Sequence, residues 1–446
     1  MKKPLLNFLK YCGLFLFIML ICNIALYMTS LIDSRLLEGN VRKSSAILNG
    51  EEQKHKISEI FDIYSDSYTD AIIINEAYSI NNSTPYISYM KIRKNYDKKL
   101  TYSELFETNG EGVTSNYIFE HHIEKNIGWA IGELNDFLNG RLHYSPIYGR
   151  YWHGYLVFVR PLLLVFDISG IRNFTLFLCV ILLLYLTYLL YKEFGKTIAF
   201  IFCASLISSG YLSAFYSLSD SATIVFMMIC SIVLLKKINK IKDFNIFIFV
   251  VGCLTNYIDF LRLPLITLGV PCAIYLLKLK KEEKDWKYCT KALIISSFMW
   301  IIAYALTWIF KWVQYDLTID DLNDMVKIGF NQILYRTERI NEMCETYGFC
   351  GPTTNYIVII IKIIGKSLLY TIITMLIVLI INKCNFKFKL NKDIIPFLIL
   401  SLYPIAWYIG LANHTILHAF FIYRLSVIFM LGVLLGLCQF LKFNKS

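Results

Sequence analysis

Charge is what this chain has least of. Only 17% of its 446 residues are Asp, Glu, Lys or Arg, against 56% hydrophobic, and the mean hydropathy is +0.52. A soluble globular chain carries about a quarter charged residues, so that class is excluded and a polytopic membrane protein is expected. With 9 prolines and 22 glycines spread along it, the chain has no Pro- or Gly-rich linker, and no internal repeat is visible. No A-x-A-like cleavage site follows the first apolar run, which Asn23 interrupts, so that run is expected to stay as an uncleaved anchor. A zinc motif is also missing: HTILH (414 to 418) has Thr415 where a metalloprotease helix needs its Glu, and no third ligand is evident.

Long apolar runs are abundant. A bilayer core about 30 Å thick takes roughly 20 helical residues to cross, and this length selects ten candidate spans: 11–31, 172–191, 197–215, 221–235, 243–259, 262–278, 290–311, 357–381, 394–411 and 419–441. The expected fold is therefore all-α, a polytopic bundle of about ten transmembrane helices with a large first extracytoplasmic loop. An N-terminal anchor (1–32), a loop with juxtamembrane helices (33–171) and a multi-span domain (172–446) with an outer loop at 312–356 make up its organisation.

Basic residues near span ends are retained in the cytoplasm. Lys2, Lys3 and Lys10 precede the first span, and KEFGK (192–196), KKINKIK (236–242), KLKKEEKDWK (278–287), KCNFKFKLNK (383–392) and KFNKS (442–446) follow later ones. Ten spans put all these clusters on one side, with both termini cytoplasmic in a plasma (inner) membrane. The net charge of +11 is then a topology signal, and no nucleic-acid partner is needed to explain it. Most of the 12 cysteines fall in spans as small apolar residues. Cys344 and Cys350, in NEMCETYGFCGP, share an outer loop where either a disulfide or two free thiols would serve.

In the first loop, 33–80 is amphipathic and reads as helix, 81–116 is turn-rich, and FEHHIEKNIGWAIGELNDFLNG reads as a helix ended by Gly140. The loop closes with SPIYGRYWHGYLVFVRPLLLVFDISGIRNF (145–174). Its apolar run of about 12 residues is too short to span, and Arg160 and Pro161 interrupt it, which suggests an interfacial or re-entrant helix. Arg150, His153 and Arg160 would then lie at headgroup depth, either binding a lipid phosphate or snorkelling as plain anchors.

Near the end of the chain, LANHTILHAFFIYR (411–424) places His414, His418 and Arg424 between two apolar runs. His414 and His418 are four apart and share a helix face. Polar residues at such depth are costly and tend to be functional. The expectation is a cationic pocket of Arg424 with both histidines, facing Arg160; an internal hydrogen-bonded pair is the alternative.

Among the carboxylates, Asp33 lies just past the first span. It is the candidate catalytic base, or a residue holding a divalent cation against a phosphate, or simply a solvated flank. Asp66 and Asp70 share a helix face and read as solvated helix charge or as a second carboxylate site. Asp259 and Arg262 read as an i,i+3 salt bridge, and Asp220 as the N-cap of the fourth span.

An N-terminal span, a large loop opening on an acidic residue, an aromatic and Arg-bearing re-entering stretch and then serial spans resemble the GT-C superfamily of membrane glycosyltransferases. The segment RYWHGYLVFVRPLLLVFDISGIRNFTLFLCVILLLYLTYLLYKEFG (150–195) is similar to that family's juxtamembrane pattern. The paired acidic motif of many members is replaced here, since Ser34 and Arg35 follow Asp33. The resemblance implies sugar transfer on the extracytoplasmic face from a polyprenyl-phosphate-linked donor to a glycan or lipid acceptor of the cell envelope, with Asp33 at the family's acidic position. A polysaccharide polymerase or ligase would use similar outer cations. A transporter or flippase of lipid-linked sugars would instead carry ions within its spans, and those read here as nearly free of them.

Overall fold

The computed structural model describes residues 2–51, 54–58, 63–92, 129–139, 148–237, 244–321, 323–338, 356–382 and 391–440. The Cys344 and Cys350 pair lies outside them. In chain order the helices are α1 (Lys2–Ser30), α2 (Glu38–Asn49), α3 (Ser67–Ser79), α4 (Pro85–Lys91), α5 (Trp129–Leu138), α6 (Leu156–Leu163), α7 (Ile168–Phe194), α8 (Lys196–Ser208) and α9 (Leu218–Lys237). They continue with α10 (Phe244–Ile258), α11 (Ile266–Lys281), α12 (Trp286–Thr318), α13 (Met325–Thr337), α14 (Tyr356–Asn382), α15 (Ile395–Ser401), α16 (Tyr403–Gly410), α17 (Ala412–Leu417) and α18 (Ser426–Leu437).

Among the described residues, seven helical stretches are long and apolar enough to cross a membrane: 8–30, 168–194, 218–237, 286–318, 356–382, 392–410 and 419–440. The remaining candidates are helical but shorter, with 13 residues in α8, 15 in α10 and 16 in α11. A 13-residue helix rises only about 20 Å, and α8 is followed by a further turn, Tyr211–Ala214, after Gly210. Buried residues make up 72% of the span in α9 and 78% of that at 419–440, but 17% of that in α7, so the first two form the middle of the bundle and α7 its rim.

One expectation is corrected in the first loop. The 33–80 stretch is not continuous helix: strands β1 (Lys54–Ser58) and β2 (Ile63–Asp66) pair antiparallel between α2 and α3, with Lys54 opposite Asp66 and an irregularity between Lys56 and Ser58. Asp66 then ends β2 and caps α3, accepting from the Thr69 N–H.

Serial helices reverse direction, so the breaks 31–35, 209–217, 259–265 and 411–418 come to one end, where the first loop packs. At the opposite end Lys281 pairs with Glu193 and Lys280 with Asp393, which places the basic clusters of α7, α11 and the start of the 392–410 stretch together. Two apolar cores result. One joins α7 to α9, α11 and α18; the other gathers α1, α3, α6, α10 and α12 around Trp152 and Leu156.

Candidate functional site

The loop end of the bundle concentrates buried ions. Arg262, past the end of α10, donates Nε to Asp220 Oδ1 at 2.6 Å and Nη1 to Asp66 Oδ2 at 2.7 Å. Asp220 Oδ2 accepts from Arg424 Nη1 at 3.0 Å, and Arg172 binds Asp70 at 2.9 Å and Glu51 at 2.8 Å. All five carboxylate–arginine links join the first loop to the spans or one span to another. Buried charges are tolerated only when paired and hydrogen-bonded, and these are.

Several sequence-based expectations change at this point. Asp66 and Asp70 are buried ion-pair partners, not solvated helix charge: α3 lies on its side against α9, which carries the Leu218 N–H that Asp70 accepts at 3.1 Å. Asp220 sits in the first turn of α9 and clamps two arginines instead of capping. Asp259 takes the backbone N–H groups of Arg262 and Leu263 and the Thr223 hydroxyl, while the Arg262 guanidinium goes elsewhere. Burial opposes ionisation of Asp66, yet Arg262 and the bonds from Thr69 hold it below the ordinary carboxylate range. Asp70 is pushed up to about 6 by burial, against the pull of Arg172.

The expected pocket between Arg160 and Arg424 does not form. Arg160 is buried and spends its donors on the Thr29, Ile32 and Ala77 carbonyls and on Ser34 Oγ. Burial pulls its guanidinium down to about 10. Arg424 is spent on Asp220, Ser213 Oγ and the Gly210 carbonyl. Asp33 is clasped by Arg35, with Nη2 at 2.5 Å from Oδ2, and its Oδ1 accepts the Arg35 N–H. Those bonds to Arg35 lower its pKa.

A different set of side chains comes together deeper in. His414 and His418 do meet, their rings 4.5 Å apart, and His418 lies 5.1 Å from Phe421. The Arg262 guanidinium stands 4.0 Å over that Phe421 ring. His414 is buried, and burial together with His418 and Arg336 holds it well below the usual imidazole range, so it is neutral at pH 7 rather than cationic. Arg336 in α13 donates to the Tyr151 hydroxyl at 2.8 Å. Arg150 lies 4.5 Å from the Tyr148 ring and 5.2 Å from that of Tyr151. Tyr148, Tyr151 and Phe260 pack together with the His153 ring.

His153 projects inward, not toward headgroups. Its Nδ1 lies 2.7 Å from the Tyr155 hydroxyl, which donates to Glu76, and its Nε2 lies 2.9 Å from the Tyr148 carbonyl. Beyond Tyr151 sit Trp308 and Tyr304; Tyr304 has Asn256, Asp259 and Arg336 as electrostatic neighbours.

Five side chains of this cluster keep buried polar atoms without a completed hydrogen bond: Glu76 Oε1, Arg150 Nε, both amide atoms of Asn256 and the Tyr304 hydroxyl, which lie against each other without closing a bond, and both ring nitrogens of His414. The His414 ring lies against the Leu261 backbone without completing a bond to it. Such groups each cost about 1–3 kcal/mol when unsatisfied, and their convergence on one spot points to a polar ligand. Backbone strain marks the same place. His153 (φ 55°) and Leu261 (φ 60°) adopt the left-handed region, which a bulky Leu occupies only where the surroundings force it.

Glu76, Asn256, Tyr304 and Arg336 were not singled out from the sequence, and Asp259 was read only as an ion-pair partner. Nothing local marks Glu76 or Tyr304; Asn256 and Arg336 stand in segments whose only visible signal was a turn and an outer loop. Among the described residues no group of three or more His, Cys, Asp or Glu is placed to hold a metal ion. No protein-family description, curated protein or solved structure matches the chain.

Proposed function

We propose that this chain is a membrane glycosyltransferase that takes a sugar from a polyprenyl-phosphate-linked donor on the extracytoplasmic face and passes it to a cell-envelope glycan or lipid. The reading includes ten membrane passes, with α8, α10 and α11 as the short ones, and both termini in the cytoplasm of a plasma membrane, as the basic clusters at the opposite end favour. It rests on one observation: buried, unsatisfied polar groups gather with arginines and aromatic rings at the loop end of the bundle.

The parts suit that substrate. Arg150 and Arg336 supply guanidinium forks for phosphate. Neutral His414 and the Asn256 amide supply hydrogen bonds that a sugar hydroxyl can use in either direction. Tyr148, Tyr151, Phe260 and Trp308 offer flat apolar faces. For the base that takes a proton from the acceptor hydroxyl, Glu76 is better prepared than Asp33. One oxygen of Glu76 is anchored by Tyr155 and the other is unbonded, whereas both oxygens of Asp33 are tied to Arg35 and its lowered pKa weakens it as a base. Arg160 and Arg424 hold the loop and bundle together, and a divalent cation is not needed for the scheme.

A transporter of lipid-linked sugars is the second reading, favoured by the buried ions at the span ends. Lys311, buried in α12 beside the Tyr89 and Trp152 rings, is the clearest of these. Purified protein in lipid nanodiscs, offered a panel of polyprenyl-phosphate sugars, separates the two. Consumption of a donor by wild type, lost in Arg150→Gln and Glu76→Gln variants that remain folded, supports transfer. Donor binding without consumption supports transport, and no binding at all removes both.

A further inference from the structure

Helix α14 carries two lysines where a membrane helix has no use for them. Its packing face runs through Ser367, Thr371, Thr374, Met375 and Val378. Lys362 and Lys366, one turn apart and so on a common side, lie away from that face and are exposed. Exposed Ile357, Ile361, Leu368 and Leu369 surround them, so this side of α14 faces lipid. The lysines do not mark the helix end: the apolar turn YIVIII (356–361) precedes them and SLLYTIITMLIVLII (367–381) follows. Lys366 stands 5.9 Å from the Tyr370 ring, and neither lysine forms an ion pair with another described residue.

An ammonium bracketed by apolar residues on a lipid-facing surface needs a counter-charge that the bilayer itself supplies. Two ammonium groups one turn apart match the single most abundant anion at that depth, a lipid phosphate, and Tyr370 adds an amphipathic ring at the same level. We propose that Lys362 and Lys366 form a binding site for one anionic phospholipid, held by its phosphate, with its acyl chains lying along the exposed face of α14. Because only a narrow face of α14 packs on protein, the lipid also secures that helix. Helix α14 lies against α17, which carries His414, and its lysine-bearing side is turned away from its packed face, so the lipid is not part of the candidate site. The assignment stands whether or not the protein transfers sugar.

The test uses the full-length protein, delipidated in mild detergent and supplied with phosphatidylglycerol or phosphatidylcholine. Native mass spectrometry counts retained lipid, and a melting curve is recorded alongside. Wild type should hold at least one phosphatidylglycerol in preference to phosphatidylcholine and melt higher in its presence. The Lys362→Gln/Lys366→Gln double variant should bind it at least tenfold more weakly and lose the shift. Lys192→Gln/Lys287→Gln, which removes exposed lysines at the other end of the bundle, should behave as wild type. Equal retention by the 362/366 variant overturns the proposal, as does equal binding of the two phospholipids. Displacement of phosphatidylglycerol by a polyprenyl monophosphate at equal concentration overturns it too, and assigns the site to the carrier lipid instead.

Discussion

Replacing Asp220 by Asn tests the ion network at its narrowest point. The carboxylate is buried, with its side chain 1% exposed, and serves two guanidiniums at once: Arg262 at 2.6 Å and Arg424 at 3.0 Å. Asn keeps one acceptor, for Arg262 or for Arg424, but turns the other position into an NH2 donor that faces a donor. Arg262 still has Asp66 at 2.7 Å, whereas Arg424 is left with Ser213 Oγ and the Gly210 carbonyl, two neutral partners. Breaking a buried pair by removing one partner costs about 3–5 kcal/mol, a large share of a total stability of about 5–15 kcal/mol. Denaturant titration of the detergent-solubilised protein should show the midpoint fall without a change in slope. Adding Arg424→Met to Asp220→Asn removes the stranded charge, so the double variant should recover about 1–3 kcal/mol relative to the single. If Asp220→Asn falls within about 1 kcal/mol of wild type, or the two substitutions simply add, the pair is solvent-screened and the account of the loop end is wrong.

Three further outcomes follow from the geometry. The folded-state pKa of His414 lies well below its ordinary value, so the unfolded chain binds the extra proton; stability should fall as pH drops below about 6.5, by at most about 1.4 kcal/mol per pH unit, and His414→Gln should flatten a melting-temperature profile between pH 7.5 and 5.5. Asp70 acts with the opposite sign, since its pKa is raised to about 6: its ionisation costs stability as pH rises from about 4 to 6, so Glu51 and Arg172 must offset it, and Asp70→Asn should remove that part of the profile while still weakening the fold by loss of the Arg172 contact. Gly154→Ala places a methyl 2.4 Å from the Tyr257 carbonyl that the Gly154 N–H binds; the turn has no room to give, and a loss of about 2 kcal/mol or more is expected in the same titration.

The fold was legible because membrane spans are written in composition. Runs such as 357–381 and 419–441 have no other physical use, and the basic clusters at 192–196 and 278–287 could be assigned to one end, where Lys281 meets Glu193 and Lys280 meets Asp393. The short helices were harder: the break between α10 and α11 was expected between 259 and 262, but α8 ends at Ser208, inside the expected span 197–215, at a turn on Gly210 that no pattern announces. The strand pair 54–58 and 63–66 was missed because its charged residues fit a mixed-charge helix as well as a strand.

The site was legible only as a list of costly residues, not as a set of contacts. Arg424 was picked as a side chain that membrane burial makes expensive, and Arg160 and His153 as groups at headgroup depth, where the structure instead buries them; neither reading says who offsets the cost of burial. The partners of Arg424 lie more than 200 positions away, at Ser213 and Asp220, and those of Arg160 are mostly carbonyls, which every residue carries. Once such partners are assigned, the arginines that looked most available for phosphate turn out to be occupied. The candidate site moves to groups whose burial nothing offsets: Glu76 Oε1, Arg150 Nε, Asn256, Tyr304 and His414. That gives a sharper comparison than any single loss of activity. Glu76→Gln preserves the acceptor for Tyr155 at one position and should abolish turnover while donor binding and melting temperature change little, as expected for a base. Asp33→Asn should lose only the Arg35 clasp and keep most of the rate. If Asp33→Asn is the inactive variant and Glu76→Gln the active one, the base lies at the membrane edge, and the buried cluster binds without reacting.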